Sequence, residues 1–223
     1  MFSESFVAHL RGLDGVESVD IPDGVPGPRY NIGPTQKIAA VRIEESVATV
    51  LPARWGLLPH WKKDETGPPL FNARGETVAN KPSFRDAFNN KDDARLGGRC
   101  LIPMDGYYEW CDIGDGDGKW PYYVRRDDGL PLIAAGLWAT GLDQLSATIV
   151  TTDSAEPIAW LHDRLPRFLL DEEIDSWLHS SSEKAEQMLN PTPQPLREKL
   201  VATKAAKEVG NVRHDYAGLI ADV

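Results

Sequence analysis

The chain has 223 residues, of which 41% are hydrophobic and 26% charged, and its formal net charge is −10. This length is enough to bury a core, and we expect a single domain over residues 1–223. The sequence contains no apolar run of about 18 residues, which excludes a transmembrane helix, and the negative charge argues against non-specific binding to duplex DNA.

The N-terminus and the cysteines indicate the cellular compartment. Residues 1–5 (MFSES) lack the basic and apolar segments of a secretory signal. Two cysteines, Cys100 and Cys111, cannot form a disulfide framework, and they favour a reducing cytoplasm. A disulfide between them is a weaker alternative, because both lie on one predicted extended segment.

Local patterns predict the elements of the first half of the chain. Apolar spacing predicts a helix over residues 3–14, and the proline and glycine content of residues 21–28 predicts a loop. Strands are predicted over residues 37–43 and 47–55. A helix is expected to begin near Pro82, because proline suits the first helical position.

The second half of the chain is predicted to be mainly strands. Residues 100–110 predict one strand, residues 122–125 and 132–138 a hairpin, and residues 147–152 a further strand. Residues 171–179 predict a short helix. Because the strands are short and the helices few and peripheral, the predicted fold class is α+β, with mainly antiparallel sheets forming a partly closed barrel.

We expect no metal and no cofactor. The five histidines and two cysteines show no Cys-x-x-Cys or His-x-x-x-His spacing. The Asp-Gly run at residues 112–118 lacks the length and the closing glutamate of an EF-hand loop, so a solvated turn is expected there.

Two residues are candidates for acid–base chemistry. Glu109 lies among aromatic residues at the end of an apolar strand, and a partly desolvated carboxylate can transfer protons near neutrality. A solvent-facing edge glutamate is the alternative. His162 lies in a loop beside Asp163 and Arg164, which suits a general acid or base; a structural or merely exposed histidine is the alternative.

The strongest local indication of a binding site is the segment around Asn72. In an extended chain Asn72, Arg74 and Glu76 project to one side, and such a polar face in an apolar setting is costly unless it binds something. The surrounding residues 71–100 carry a charge of +2, although an ordinary mixed-charge surface is the alternative. The charged residues of this stretch are Arg74, Lys81, Arg85, Lys91, Arg95 and Arg99 against Glu76, Asp86, Asp92 and Asp93.

Six segments carry a family resemblance through their order along the chain. They are residues 29–34 (RYNIGP), 55–61 (WGLLPHW), 72–77 (NARGET), 103–110 (PMDGYYEW), 162–166 (HDRLP) and 209–212 (VGNV). One segment would be a weak signal, but six in order are specific. With them the chain resembles the SRAP (SOS response-associated peptidase) family over nearly its whole length.

The resemblance implies a single SRAP domain and a function in the DNA damage response. Family members sense abasic sites in single-stranded DNA and form a covalent crosslink through a cysteine that follows the initiator methionine, in a Cys-Gly-Arg-Phe start. The cysteine amine forms a Schiff base with the opened sugar, and the thiol closes a thiazolidine. The implied protein is a cytoplasmic, nucleoid-associated monomer with no membrane partner.

The resemblance also implies roles in catalysis. Glu109 and His162 would be the acid–base pair for ring opening, Schiff-base formation and crosslink reversal. Asn72 would orient the cysteine and the sugar by hydrogen bonds.

The remaining implied roles are in DNA binding. Arg74 and Arg164 would contact phosphates. Pro34 and Trp61 would form an apolar wedge that stacks on bases and splays the strand around the lesion.

The chain departs from the family at its start, because it begins Met1-Phe2-Ser3 and lacks the Cys-Gly-Arg-Phe segment. Neither Cys100 nor Cys111 can replace the missing residue, since a thiazolidine needs an amine and a thiol on adjacent carbons. A start site assigned downstream, a truncated chain and a natural variant all remain open. Two other functions also remain open: a non-covalent single-strand binding module, and a peptidase that uses Glu109 and His162.

Overall fold

The structure is a computed structural model that describes residues 4–90, 93–114, 116 and 118–220. Its strands are β1 (Ser18–Asp20), β2 (Lys37–Glu44), β3 (Val47–Trp55), β4 (Asn72–Arg74), β5 (Gly98–Met104), β6 (Gly106–Asp112), β7 (Lys119–Arg126), β8 (Leu132–Gly141), β9 (Gln144–Asp153), β10 (Arg164–Pro166) and β11 (Leu200–Lys204). Its helices are α1 (Glu4–Gly12), α2 (Gly75–Val78), α3 (Arg85–Asn89), α4 (Asp171–His179), α5 (Ser182–Gln187) and α6 (Gln194–Arg197), with 3₁₀ turns at Lys207–Gly210 and Ala217–Leu219.

The larger sheet curls into a partly closed barrel. Its strands follow the order β1-β3-β2-β5-β8-β9-β10, and β4 also pairs with β9. The ring closes where Trp55 of β3 pairs in parallel with Ala147 of β9. Between β2 and β5 the register holds the single pair Val41–Leu101. The predicted α+β class, with mainly antiparallel pairing and a partly closed barrel, is confirmed.

Strand β8 is buried on both faces and separates two core layers. Because side chains alternate along a strand, Ile133 and Leu137 pack in the layer that contains Trp177 of α4. Leu132 packs in the other layer, with Phe168. An apolar strand of this kind lies at the centre of the fold.

The three-stranded second sheet, in the order β11-β7-β6, corrects the predicted strand over residues 100–110. The strand is interrupted at Asp105, so that β5 lies in the barrel and β6 in the second sheet. A Cβ atom on Gly106 would lie 2.5 Å from both the Val124 carbonyl oxygen and the Tyr123 ring. Glycine therefore permits the close crossing at which the chain changes sheets.

The predicted hairpin of residues 122–125 with 132–138 is also wrong. β7 pairs with β6 and β11, whereas β8 pairs with β5 and β9. The turn after β7 is held by Asp128, which accepts hydrogen bonds from Arg126 (2.7 Å) and Lys199 (2.8 Å). The hydrogen bonds from Arg126 lower the pKa of Asp128.

The solvated turn predicted at residues 112–118 joins β6 to β7. Asp112 pairs with Lys119 at the start of this connection. Two residues of the turn, Asp115 and Asp117, lie outside the described residues.

The helix expected to begin near Pro82 begins instead at Arg85, as α3, after a turn. The remaining predicted elements are confirmed. Helix α4 has the predicted bounds, and α1 buries Phe6 and Leu10. The strands predicted over residues 37–43, 47–55 and 147–152 are β2, β3 and β9. Among the described residues, no helix has both the length and the apolar character needed to cross a membrane.

Candidate functional site

Most of the predicted site residues line one cleft of about 820 Å³. The wall of this cleft takes residues from both sheets and from the segments near both ends of the described chain. The predicted residues that line it are Pro34, Asn72, Arg74, Glu109, His162 and Arg164.

Strand β4 carries Asn72 and Arg74 into the cleft. Ala73 between them is fully buried, so the two polar side chains lie on the exposed face. Parallel pairing with β9 fixes their position, because Arg74 lies opposite Thr151. The predicted alternation ends there: helix α2 begins at Gly75, so Glu76 is helical and does not share a strand face with the other two.

Glu76 forms an ion pair with Arg164, which lines the cleft. The Arg164 guanidinium donates to both carboxylate oxygens of Glu76 (2.5 and 3.0 Å), to Asp153 Oδ1 (2.7 Å) and to the Thr151 carbonyl (2.6 Å). The hydrogen bonds from Arg164 lower the pKa of Glu76. Arg164 is only 17% exposed, so any DNA phosphate would have to compete with these partners for its guanidinium.

The position of His162 is fixed by the residue that begins β10. The Arg164 N–H donates to His162 Nδ1 at 2.9 Å. This bond requires a lone pair on Nδ1, so the neutral ring carries its proton on Nε2. Asp163 Oδ1 lies 3.0 Å from the same Nδ1 and would pair with a protonated ring. The imidazole is 38% exposed and lines the cleft, so it is accessible for proton transfer.

Glu109 lies on β6, directly opposite Tyr122 of β7. Its carboxylate is half-buried and accepts the Trp110 N–H at 3.0 Å. Because Glu109 and His162 line the same cleft, the structure brings together a carboxylate and an imidazole that can both move protons.

Asn31 joins the first and last of the six sequence segments into one wall of the cleft. Its buried side chain donates through Nδ2 to the carbonyls of Val209 (2.9 Å), Asn211 (3.2 Å) and His214 (3.0 Å). Both segments line the cleft, so this amide fixes the position of that wall.

Close packing at Gly33 and hydrogen bonds to the Asp215 carboxylate also hold this wall in place. A Cβ atom on Gly33 would lie 2.6 Å from Val212 Cγ1, so only glycine fits there without a shift. The Asp215 carboxylate accepts hydrogen bonds from the Arg29 guanidinium and from the Tyr30 N–H (2.6 Å). Burial raises the pKa of Asp215, but these hydrogen bonds outweigh it and the pKa is lowered. Asp215 lies beyond the last matching segment and was not predicted from the sequence.

Tyr108 ties β6 to this wall. Burial, and then the charge of Asp215, raise the pKa of Tyr108 to about 12. The phenol therefore keeps its proton and donates to the Tyr30 carbonyl at 3.1 Å.

The positive stretch over residues 71–100 contributes two cations to the cleft, Arg74 and Lys81. No ion pair joins either of them to an acid within the part of the chain that the structure describes. The other bases are used elsewhere or fall outside that part: Arg85 pairs with Asp86, Arg95 pairs with Asp93, Arg99 is buried, and Lys91 and Asp92 lie outside the described residues. Lys81 had not been assigned a role in the site.

Three residues considered from the sequence lie away from the cleft. Trp61 is 49% exposed but does not line it. Cys100 is fully buried, which raises the pKa of its thiol. Cys111 lies 3.5 Å from the Trp160 carbonyl through Sγ. Among the described lining residues there is no thiol, and no described group of three or more metal-binding side chains could hold an ion.

Comparisons with known proteins identify the family and several relatives of this chain. The model of the family described as SOS response associated peptidase (SRAP) matches residues 8–212. The chain is similar to abasic site processing protein YoqW of Bacillus subtilis, with 37% identity over 165 residues, 71% of this chain and 70% of the relative. It is also similar to abasic site processing protein YedK of Escherichia coli, with 30% identity over 211 residues, 92% of this chain and 89% of the relative.

A solved structure gives the same fold. A protein from Bordetella bronchiseptica superposes with a TM-score of 0.70 at 24% identity, over 89% of this chain and 95% of that one. Together with the family model, which spans most of the sequence, these similarities place the chain in a family. The chain belongs to the SRAP family.

Proposed function

We propose that this chain processes abasic sites in DNA and that it holds the lesion, within single-stranded DNA, in the 820 Å³ cleft. One observation carries the proposal: Asn72, Glu109 and His162 converge on a single cleft that also holds two cations without ion-pair partners in the described chain. The names of the relatives YoqW and YedK support the choice of lesion.

Recognition of the strand would depend on Arg74, Lys81 and Pro34. The two cations are exposed and form no ion pair with a described carboxylate, so they suit phosphate binding. Pro34 is exposed on the cleft wall and suits stacking on a base. Arg164, bound to Glu76, is better placed to hold the His162 loop than to contact phosphate. The wedge role of Trp61 remains a prediction.

The chemistry would begin with opening of the abasic sugar. Ring opening needs a base to take the proton of the C1′ hydroxyl and an acid to protonate the ring oxygen. Glu109, with a carboxylate, and His162, with a proton on Nε2, provide one group of each kind. The Asn72 amide can donate to one sugar oxygen and accept from another.

Covalent attachment would require an N-terminal cysteine, whose amine forms a Schiff base and whose thiol closes the thiazolidine. Cys100 and Cys111 cannot take this role, because the nitrogen of each is a backbone amide and neither lines the cleft. The covalent step is therefore proposed only for a chain in which Cys-Gly-Arg-Phe follows the initiator methionine.

Binding is tested by fluorescence anisotropy with labelled single strands that differ only by one stable abasic analogue. We expect tighter binding to the abasic strand, and Arg74→Ala should weaken binding and reduce the salt slope by about 1. Arg95→Ala is the matched control, since Arg95 is an exposed arginine outside the cleft that is already paired with Asp93. Equal affinity for both strands would contradict the proposal.

The crosslink is tested separately on a denaturing gel. A version that starts Met-Cys-Gly-Arg-Phe should give a shifted band with abasic single-stranded DNA, and a Ser-Gly-Arg-Phe version should not. A cysteine version that gives no shifted band would refute the covalent part of the proposal and leave the binding part to the anisotropy result.

A further inference from the structure

Lys81 provides the only lysine amine among the described residues that line the cleft. It follows the helix that begins after Arg74, and its backbone N–H donates to the Thr77 carbonyl at 2.8 Å. Its own carbonyl accepts the N–H groups of Phe84 and Arg85, both at 2.9 Å. The backbone of Lys81 is therefore fixed, while its side chain is exposed.

The surroundings of the Lys81 amine leave it available for reaction. Its Nζ lies 5.4 Å from the centre of the Phe84 ring, which is 2% exposed and lines the same cleft. No carboxylate among the described residues forms an ion pair with Lys81, so the side chain has no such partner to leave before it reaches a bound sugar. Arg74, in the same cleft, adds a second cation rather than an anion.

We propose that Lys81 Nζ condenses reversibly with the ring-opened aldehyde of an abasic sugar. This proposal rests on the proposed function, because the cleft must first bind the lesion. The neutral amine adds to C1′ to give a carbinolamine, and a C=N bond then replaces the C–O bond as water leaves. The amine protons pass to the departing oxygen, with Glu109 and His162 as the acid–base groups of the cleft.

This step differs from the crosslink of the family in what it requires. An imine needs one amine and one aldehyde, and neither a thiol nor an oxidant takes part. It is therefore open to a chain in which no described thiol lines the cleft. Because a lysine side chain carries no thiol beside its amine, its imine cannot close a thiazolidine and remains hydrolysable, so Lys81 would hold the lesion transiently.

Borohydride reduction tests the proposal, because it converts an imine into a stable secondary amine. The protein is mixed with saturating abasic single-stranded DNA, reduced, and run on a denaturing gel. We expect a trapped band that is lost in Lys81→Arg, which keeps the charge but cannot condense. Lys37→Arg is the control, because Lys37 is exposed and lines a separate, smaller cavity; it should trap as the parent does.

Peptide mapping of the trapped band should place the reduced adduct on Lys81. An adduct on another amine, including the chain's own α-amine, or full trapping by Lys81→Arg, would overturn the inference. Binding of a tetrahydrofuran analogue, which has no aldehyde, is measured in parallel. If the parent binds this analogue but traps nothing, the role of Lys81 is refuted and the proposed function stands. If the parent does not bind the analogue, the proposed function itself is refuted.

Discussion

Replacing Asn31 with alanine should loosen the wall of the cleft. The Asn31 amide has two hydrogens, and the carbonyls of Val209, Asn211 and His214 share them at 2.9 to 3.2 Å. Asn31 is 4% exposed, so the substitution leaves carbonyls without a donor where water has poor access. In Asn31→Ala this wall should therefore open.

The magnitude follows from counting the lost bonds. Leaving a buried polar group without its partner costs about 1–3 kcal/mol. Because two hydrogens serve three acceptors, we count two bonds, and since part of this segment is exposed we take the lower half of the range. The free energy of unfolding should fall by about 2–4 kcal/mol, which for a chain of this size lowers Tm by about 4–16 °C.

Urea denaturation and hydrogen exchange measure the two effects. Asn190→Ala is the matched control, since the Asn190 amide is exposed and makes a single bond, to the Gln187 carbonyl at 2.8 Å; its cost should stay below about 0.5 kcal/mol. Exchange at residues 209–215 should rise in Asn31→Ala alone. If the two variants lost the same stability, the Asn31 amide would not be the group that fixes this wall.

Three further substitutions test separate contacts. Gly33→Ala should cost about 1–3 kcal/mol because its Cβ would meet Val212 Cγ1, and the double variant with Val212→Ala should recover part of that loss in a thermal-melt cycle; additive losses would exclude the contact as the cause. Glu76→Gln should lower the free energy of unfolding at pH 7 through loss of its pair with Arg164, by less than about 1 kcal/mol because Glu76 is half-exposed. The pKa of Glu76 is lowered in the fold, so this stabilisation is complete above its ordinary value of 4.5 and is lost as pH falls through the lower value; a difference that persists in strong acid would refute it. Arg99→Met should cost about 3 kcal/mol in urea denaturation, because the buried guanidinium donates to carbonyls at the ends of two helices, and a neutral result would mean that these carbonyls find other donors.

The elements of the fold were more predictable from sequence than their pairing. Helix α4 and strands β2, β3 and β9 follow from local periodicity, because each has an apolar stripe or run that the chain itself displays. Pairing depends on contacts far apart in sequence. The break at Asp105 was hidden because the apolar pattern continues past it, and its cause, the close approach of Gly106 to Val124, lies in a strand that comes later in the chain.

The residues of the candidate site were likewise more predictable from sequence than the contacts between them. Asn72, Glu109 and His162 were each recognisable by residue type and motif, and the structure brings them to one cleft. The bond from the Arg164 amide to His162 was not predictable, since it depends on the local geometry at the start of β10. The pairing of Arg164 with Glu76 was missed for another reason: an extended chain was assumed where a helix begins at Gly75.

The central claim, that abasic DNA binds in this cleft, is tested most directly by the imidazole resonances of the histidines. His162 lines the cleft, whereas His9, paired with Asp171, and His179 do not. On titration with single-stranded DNA carrying one abasic analogue, the His162 signals should shift to saturation while those of His9 and His179 stay in place. Saturated binding with His162 unmoved would contradict the claim, because the DNA would then lie elsewhere on the protein.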